Sequence, residues 1–97
     1  MREVFVEVEG RVIRVLSDDT IGSRHQRFII RLGDDGTRLV AHNIDVAPRV
    51  PVRQGDRVRV RGAIEDNPQG GVLHRTHRDP QGDDPDGWIE HHRRRYE

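Results

Sequence analysis

Arginine and histidine carry most of the chemistry this 97-residue chain can offer: all 17 basic residues are Arg, and there are six His. A guanidinium presents a planar fork of donors that matches phosphate or carboxylate two bonds at a time. Arg24, Arg27, Arg31 and Arg38, together with His25 and His42, fall in the neighbouring segments HQRFIIRL and TRLVAH and their approach. They form the first candidate ligand-binding set. His74, His77 and Asp79 in HRTHRDP, with Asp45 further up the chain, form a second set. Their nitrogen and carboxylate donors suit a divalent metal. Positions three apart on an extended strand face opposite ways, so His74 and His77 converge only if the strand breaks near Thr76. His25 and His42 join this set if their strands pair. His91 and His92 lie near the C-terminus, and the paired acids Asp34-Asp35 and Asp83-Asp84 sit among Gly and Pro and read as turns.

The elements that must position these residues are strands. In QGDRVRVRGAIE, Val58, Val60, Gly62 and Ile64 alternate with Arg57, Arg59, Arg61 and Glu65. That period of two predicts a half-buried strand with one wet face. Gly55-Asp56 introduces it, and Asp66 to Gly71 turns it back. Val4, Val6 and Val8 alternate likewise, and Gly10 interrupts before VIRVL resumes with its phase disturbed, which predicts a bulge or bend in one long strand. His25–Leu32 is a second strand with Phe28, Ile30 and Leu32 inward. The Asp35-Gly36 pair predicts a tight hairpin into a third strand, Thr37–His42, with Leu39 and Ala41 inward and Arg38, Val40 and His42 outward. Asn43–Val52 is too short and Pro-bearing for a good helix. Gly71–His77 is the fifth strand.

These strands predict an all-β fold, a five-stranded OB-type Greek-key barrel with a long connection between strands three and four. The whole chain, residues 1–97, reads as one OB-like domain, with the barrel over about 3–77 and a C-terminal extension over 78–97. Arg78–Gly87 is turn-rich and acidic, and Trp88 is expected to pin the extension onto the barrel as an ordered loop. The sequence holds no internal repeat.

Composition narrows the function. Hydrophobic residues make up 32% and charged residues 35%, yet the charges cancel to +0 and the apolar residues are patterned, which favours a folded domain over disorder. Zero net charge disfavours a strong non-specific nucleic-acid binder while leaving room for a local basic patch. Without Cys there is no disulfide frame, thiolate metal site or Cys nucleophile. No apolar run approaches the ~18–20 residues of a membrane span. Met1-Arg2-Glu3-Val4 lacks a signal-peptide core, which points to a cytoplasmic protein, although an exported chain trimmed of its leader reads the same.

The run RHQRFIIRL…AHNIDVAPRV…GDRVRVRGAIE…GGVLHRTHRDP…DGWIEH resembles a family of small bacterial proteins catalogued as a domain of unknown function, over about Gly10 to Tyr96. That resemblance implies an OB-like barrel and carries no activity with it. A weaker likeness is to staphylococcal-nuclease-like OB domains, in which an Asp-Gly-Asp-Thr run and an acidic D-x-P-E turn hold calcium for phosphodiester hydrolysis. VIRVLSDDT matches the first run through Asp19-Thr20, and Ile44-Asp45-Val46-Ala47-Pro48 the second, with one residue too many before the proline. Arg49 stands where that family has its glutamate, and no arginine precedes the strand-three aspartate as it does there, so the likeness implies a shared barrel rather than a shared reaction.

Three functions follow as expectations. The first is a binding module for single-stranded nucleic acid or another anionic ligand, on the face around Arg24, His25, Arg27, Arg31, Arg38 and His42. Aromatic residues are only 4% of the chain, so base stacking would be poorly served. The second is a metal-dependent hydrolase of phosphodiesters, built on His25, His42, His74, His77, Asp45 and Asp79 with a divalent metal as cofactor. The third is a protein-interaction module in which Trp88 meets a partner.

Overall fold

One long strand, β1 (Val4–Val15), closes the molecule on itself. Its first two-thirds, Val4 to Arg11, pair antiparallel with β4 (Arg57–Glu65), and from Arg11 onward it pairs antiparallel with β2 (His25–Arg31). The extra residue sits at Ile13, where the register against β2 shifts between Val12 and Arg14. Gly10 keeps regular pairing with Val58, so its role differs from the expected bulge. A Cβ at Gly10 would lie 2.7 Å from the Arg31 carbonyl oxygen and 3.2 Å from Ile30 Cβ. The glycine permits close approach where β1 passes from one partner strand to the other, and the bulge follows three residues later.

The computed structural model describes residues 3–33 and 36–97. Beyond β1, β2 and β4, its strands are β3 (Thr37–Asn43), β5 (Val72–His74), β6 (Trp88–His91) and β7 (Arg94–Tyr96). β3 pairs antiparallel with β2 and parallel with β5, and β5 pairs antiparallel with β4. The closed order is therefore β1-β2-β3-β5-β4-β1, the connectivity of an OB-type barrel. The Asp35-Gly36 turn expected between β2 and β3 involves Asp35, which lies outside the described residues.

Two expectations need correction. β3 carries the opposite phase: Val40 and His42 are fully buried, while Leu39 and Ala41 are half-exposed on the outer face. The register explains it, because Val40 stands opposite Phe28 and His42 opposite Gln26, and directly opposed residues share a face. The C-terminal stretch is also more than a pinned loop. β4 has nine residues but β5 only three, which leaves the Val58–Arg61 edge of β4 free for pairing with β6. β7 folds back on β6. Trp88, Ile89 and Tyr96 are buried in consequence, and Arg95 covers the Trp88 ring at 4.1 Å.

The core comprises Val12, Phe28, Ile30, Val40, Val50, Val58, Val60, Leu73, Ile89 and Tyr96. Val50 belongs to the long β3–β4 connection, which has no helix and is drawn into the barrel by polar side chains. Buried Gln26 accepts from the Val50 N–H at 2.9 Å and donates to the Val50 carbonyl at 2.5 Å, as a neighbouring strand would. Buried His42 binds the Pro48 carbonyl through Nε2 at 2.8 Å and Thr76 Oγ1 through Nδ1 at 2.7 Å. A carbonyl only accepts, so Nε2 carries the proton and Nδ1 accepts from the threonine hydroxyl. Burial pushes the His42 pKa down, against the opposing effect of the Pro48 bond.

Candidate anion-binding face and histidine corner

The outer face of the barrel is set by the registers of β1 with its two partners. Arg11 stands opposite Arg31 of β2 on one side and opposite Arg57 of β4 on the other. Three exposed guanidiniums thus form one row across three neighbouring strands. The two rungs beside it are complementary, pairing Glu9 with Arg59 and Glu7 with Arg61. Like charges directly opposite one another are destabilising, and among the described residues not all three are relieved. Arg57 meets Glu9 at 2.9 Å, Arg11 donates to the Gly55 carbonyl at 2.9 Å, and Arg31 has no hydrogen-bond or ion-pair partner among the described residues. A shallow hollow lies over the row, lined by Glu9, Arg11, Ile13, Arg31 and Arg57. Next to it on the same face, Leu16, Ile29 and Leu39 line a second hollow against Asn67 and Gln69 of the β4–β5 loop.

This face divides the residues expected to bind a ligand. Arg27, Arg31 and His25 lie on the outside with Ile29. His42 is inside the barrel, fully buried, so it offers no atom to a ligand on that face. Arg38 stands opposite Ile30, on the same side as Val40 and His42, and donates to the Thr37 carbonyl. Arg24 is outside but holds Asp45, through its backbone N–H at 2.9 Å and Nε at 3.1 Å, and both bonds depress the Asp45 pKa. Arg27 donates Nε to the Ser17 carbonyl at 3.0 Å, and His25 Nδ1 lies 3.0 Å from the Ser23 carbonyl. Arg11 and Arg57, which are not among the expected ligand residues, complete the row. Their signal was present, since both fall on wet faces of alternating strands, but the join between those strands was not legible.

The second expected set does not assemble. β5 ends at His74, and Arg75 then adopts a left-handed φ of 54°, so the strand does break ahead of Thr76. Even so, His74 faces Glu3 and Glu65, at 3.7 and 3.9 Å, while His77 binds the Arg78 carbonyl at 2.7 Å. Asp79 is an organiser of its own loop: it accepts the backbone N–H groups of Asp83 and Asp84, which with that of Gln81 lower its pKa. No three ligand atoms from His74, His77, Asp79 and Asp45 lie within 4.8 Å of one another. The acids aligned with calcium ligands are likewise occupied. Asp18 and Arg49 form a two-bond pair that holds the Asp18 carboxyl low, Asp19 accepts the Ile21 N–H at 3.0 Å, and Asp45 belongs to Arg24.

Three other residues do converge. Asp56 at the start of β4, His91 at the end of β6 and His92 in the β6–β7 turn place one ligand atom each within 4.8 Å of one another. His91 Nε2 lies 2.8 Å from Asp56 Oδ2, and His92 Nε2 lies 3.8 Å from Oδ1. The two imidazoles stack with centroids 3.8 Å apart and planes 20° from parallel. Hydrogen bonds from His91 and from the Arg53 N–H pull the Asp56 pKa down. In the sequence, Asp56 looks like turn chemistry and His91-His92 like a tail, and 34 residues separate them. Only the pairing of β6 with β4 brings them together.

An OB-type barrel with an arginine-rich outer face defines a small β-barrel domain. The chain belongs to the family described as "Protein of unknown function (DUF3465)", which it matches over residues 1–97. No curated protein matches it. No helix among the described residues is long and apolar enough to cross a membrane. Trp88, at 7% exposure and covered by Arg95, is spent within the chain.

Proposed function

We propose that this barrel binds a phosphate-bearing chain, single-stranded nucleic acid, across the outer face of β1, β2 and β4. The observation that carries the reading is the Arg31–Arg11–Arg57 row, three opposed cations on adjacent strands with one carboxylate among them. Adjacent antiparallel strands lie about 4.8 Å apart, so the row spans about 10 Å, a reach that suits successive backbone phosphates. Leu16, Ile29 and Leu39 beside the row supply an aliphatic surface for sugars and base edges. Phe5 is half-buried with Arg61 over its ring at 5.9 Å, and Trp88 and Tyr96 are buried, so stacking contributes little and the contact is electrostatic.

Such binding follows counterion release. Three phosphate contacts to a single strand give a slope of log K against log salt of about −2. Fluorescence anisotropy of a labelled twelve-nucleotide oligo-dT, across a salt series, measures it. The Arg11→Glu, Arg31→Glu double variant is expected to weaken binding by more than about tenfold and to flatten the slope by about one or more. Both positions are exposed, so the melting temperature should hold. Binding of equal strength and slope in the variant would sink the reading.

A further inference from the structure

The corner formed by Asp56, His91 and His92 has three properties that an ordinary surface ion pair lacks. The first is backbone strain. His92 and Arg93 both adopt left-handed φ angles, 48° and 68°, in the two-residue turn between β6 and β7. A two-residue hairpin turn with both φ values positive strongly favours Asn-Gly or Gly-Gly, because side chains with a Cβ are strained there. A histidine and an arginine in those places cost stability, and such outliers concentrate at functional sites. The strain has a geometric result. Consecutive residues on a strand point to opposite faces, yet here the left-handed turn carries the His92 ring back over that of His91, at 3.8 Å.

The second property is a fixed acceptor. Asp56 is held on all sides: its N–H donates to the Arg53 carbonyl at 3.1 Å, and its carbonyl accepts the Val12 N–H at 2.7 Å. Its Oδ2 takes the Arg53 N–H at 2.9 Å as well as His91. His91 is just as fixed, with 3% of its side chain exposed, while the His92 side chain is 70% exposed. The third property is competition. Two ring nitrogens address one carboxylate, and only His91 comes close enough to donate a hydrogen bond to it.

We infer that Asp56, His91 and His92 form an open binding site for a divalent transition metal such as zinc. Two imidazole nitrogens and one carboxylate oxygen, with a fourth position left to water, are the ligand set of open zinc sites. Tetrahedral bonds of about 2.0–2.1 Å place neighbouring ligand atoms about 3.3 Å apart. His91 Nε2 and Asp56 Oδ2 therefore open slightly from 2.8 Å, and the exposed His92 ring closes from 3.8 Å. The hydrogen-bonding proton on His91 Nε2 moves to Nδ1 of the same ring, so the imidazole stays neutral and offers Nε2 to the metal. Local cations do not prevent this. In the hollow beside His92, Arg57 is matched by Glu9 at 2.9 Å and Arg59 by Glu90 at 3.8 Å, which leaves Arg93 as the one cation of that hollow without a carboxylate partner among the described residues. The inference stands apart from the proposed binding of a phosphate chain, since none of its ligands belongs to the arginine row.

Zinc titration of the full chain by calorimetry, with cobalt absorption as a second readout, tests the site. One metal per chain is expected, with the NMR signals of two imidazoles, His91 and His92, shifting together. His92→Gly removes a ligand while relieving the turn, so the variant folds. Its metal affinity should fall by at least about 100-fold, since even indirect partners of a ligand are worth 10–100-fold. Asp56→Asn should weaken binding similarly, and His25→Ala should leave it unchanged. Absence of saturable binding at 0.1–1 mM zinc (roughly, the weak end of biological metal affinities) would overturn the inference. So would binding that survives His92→Gly, or shifts confined to His25, His74 or His77.

Discussion

The molecule uses histidine in two ways, and the contrast between His42 and the His91–His92 pair shows what separates a structural imidazole from one available to a ligand. His42 has every valence met by the fold. Its Nε2–H goes to the Pro48 carbonyl and its Nδ1 accepts from Thr76, in a site with no exposed surface. The ring is the right size and polarity to tie the β3–β4 connection to the segment after β5, and its neutral form is the one that fits. At the other corner, two rings share one carboxylate, one of them is largely exposed, and the turn that holds them is strained. A satisfied polar group stabilises a core, whereas an incompletely satisfied, fixed one is a place for something to bind.

Removing His42 is the sharpest way to break the comparison. His42→Ala deletes one buried and one part-buried hydrogen bond and opens a cavity. The expected loss is about 3–4 kcal/mol, or a fall in Tm of more than about 10 °C, measured by calorimetry. Metal binding at Asp56, in the molecules that remain folded, should not change. A loss below about 1 kcal/mol would mean that the loop is held by Gln26 and Val50 alone.

That the sequence showed His42 but misread its role follows from the physics of a short strand. The period-two pattern of TRLVAH has apolar residues in both phases, Leu39 and Ala41 in one and Val40 in the other. Choosing the phase with two apolar residues puts His42 outside. Only the partner register, Phe28 against Val40, resolves it, and register is a non-local property. The strands with one clean phase were legible: β2 with Phe28 and Ile30, β4 with Val58 and Val60, and the barrel type that follows from their order. What sequence could not supply was the return of the last residues to β4, because EHHRRRYE has no apolar alternation of its own. The β6–β7 hairpin exists because β5 is short, and the candidate metal corner exists only because of that hairpin. The arginine row was half visible for the same reason, each strand readable and their alignment not.

A pH series sharpens the contrast with a smaller effect. The folded pKa of His42 lies below its ordinary 6.5, burial being the main cause; the Pro48 bond opposes it, and electrostatic repulsion from His77 and His25 adds to it. As pH falls through 6.5, the unfolded chain takes up a proton at this ring and the folded chain does not. Stability contributed by neutral His42 is therefore full above pH 6.5 and is lost progressively below it, until the folded pKa is reached. The depressed carboxyls of Asp18, Asp45, Asp56 and Asp79 act in a separate window, since their contribution is present above their ordinary 3.8 and lost only as pH falls below it. Denaturant unfolding of the native chain and of His42→Gln, whose amide can donate to Pro48 and accept from Thr76, isolates the upper window. The variant should lose part of the slope between pH 6.5 and the onset of carboxylate protonation near about pH 4. Identical slopes in the two proteins would assign that window to other groups.

The smallest effect is the most telling, because it has the opposite sign. His92→Gly should raise the stability of the metal-free protein by about 0.5–1 kcal/mol, since glycine accepts the left-handed turn that histidine occupies at 48°. The glycine's greater freedom in the unfolded chain offsets part of that gain. Zinc should reverse the order, stabilising the native chain by an amount that grows with the logarithm of its concentration above Kd, and leaving the variant nearly unmoved over the same range. A histidine that makes the empty fold less stable and the metal-bound fold more stable is being kept for the metal. If instead the glycine variant is less stable without metal, stacking on His91 outweighs the strain, and the turn is explained by packing.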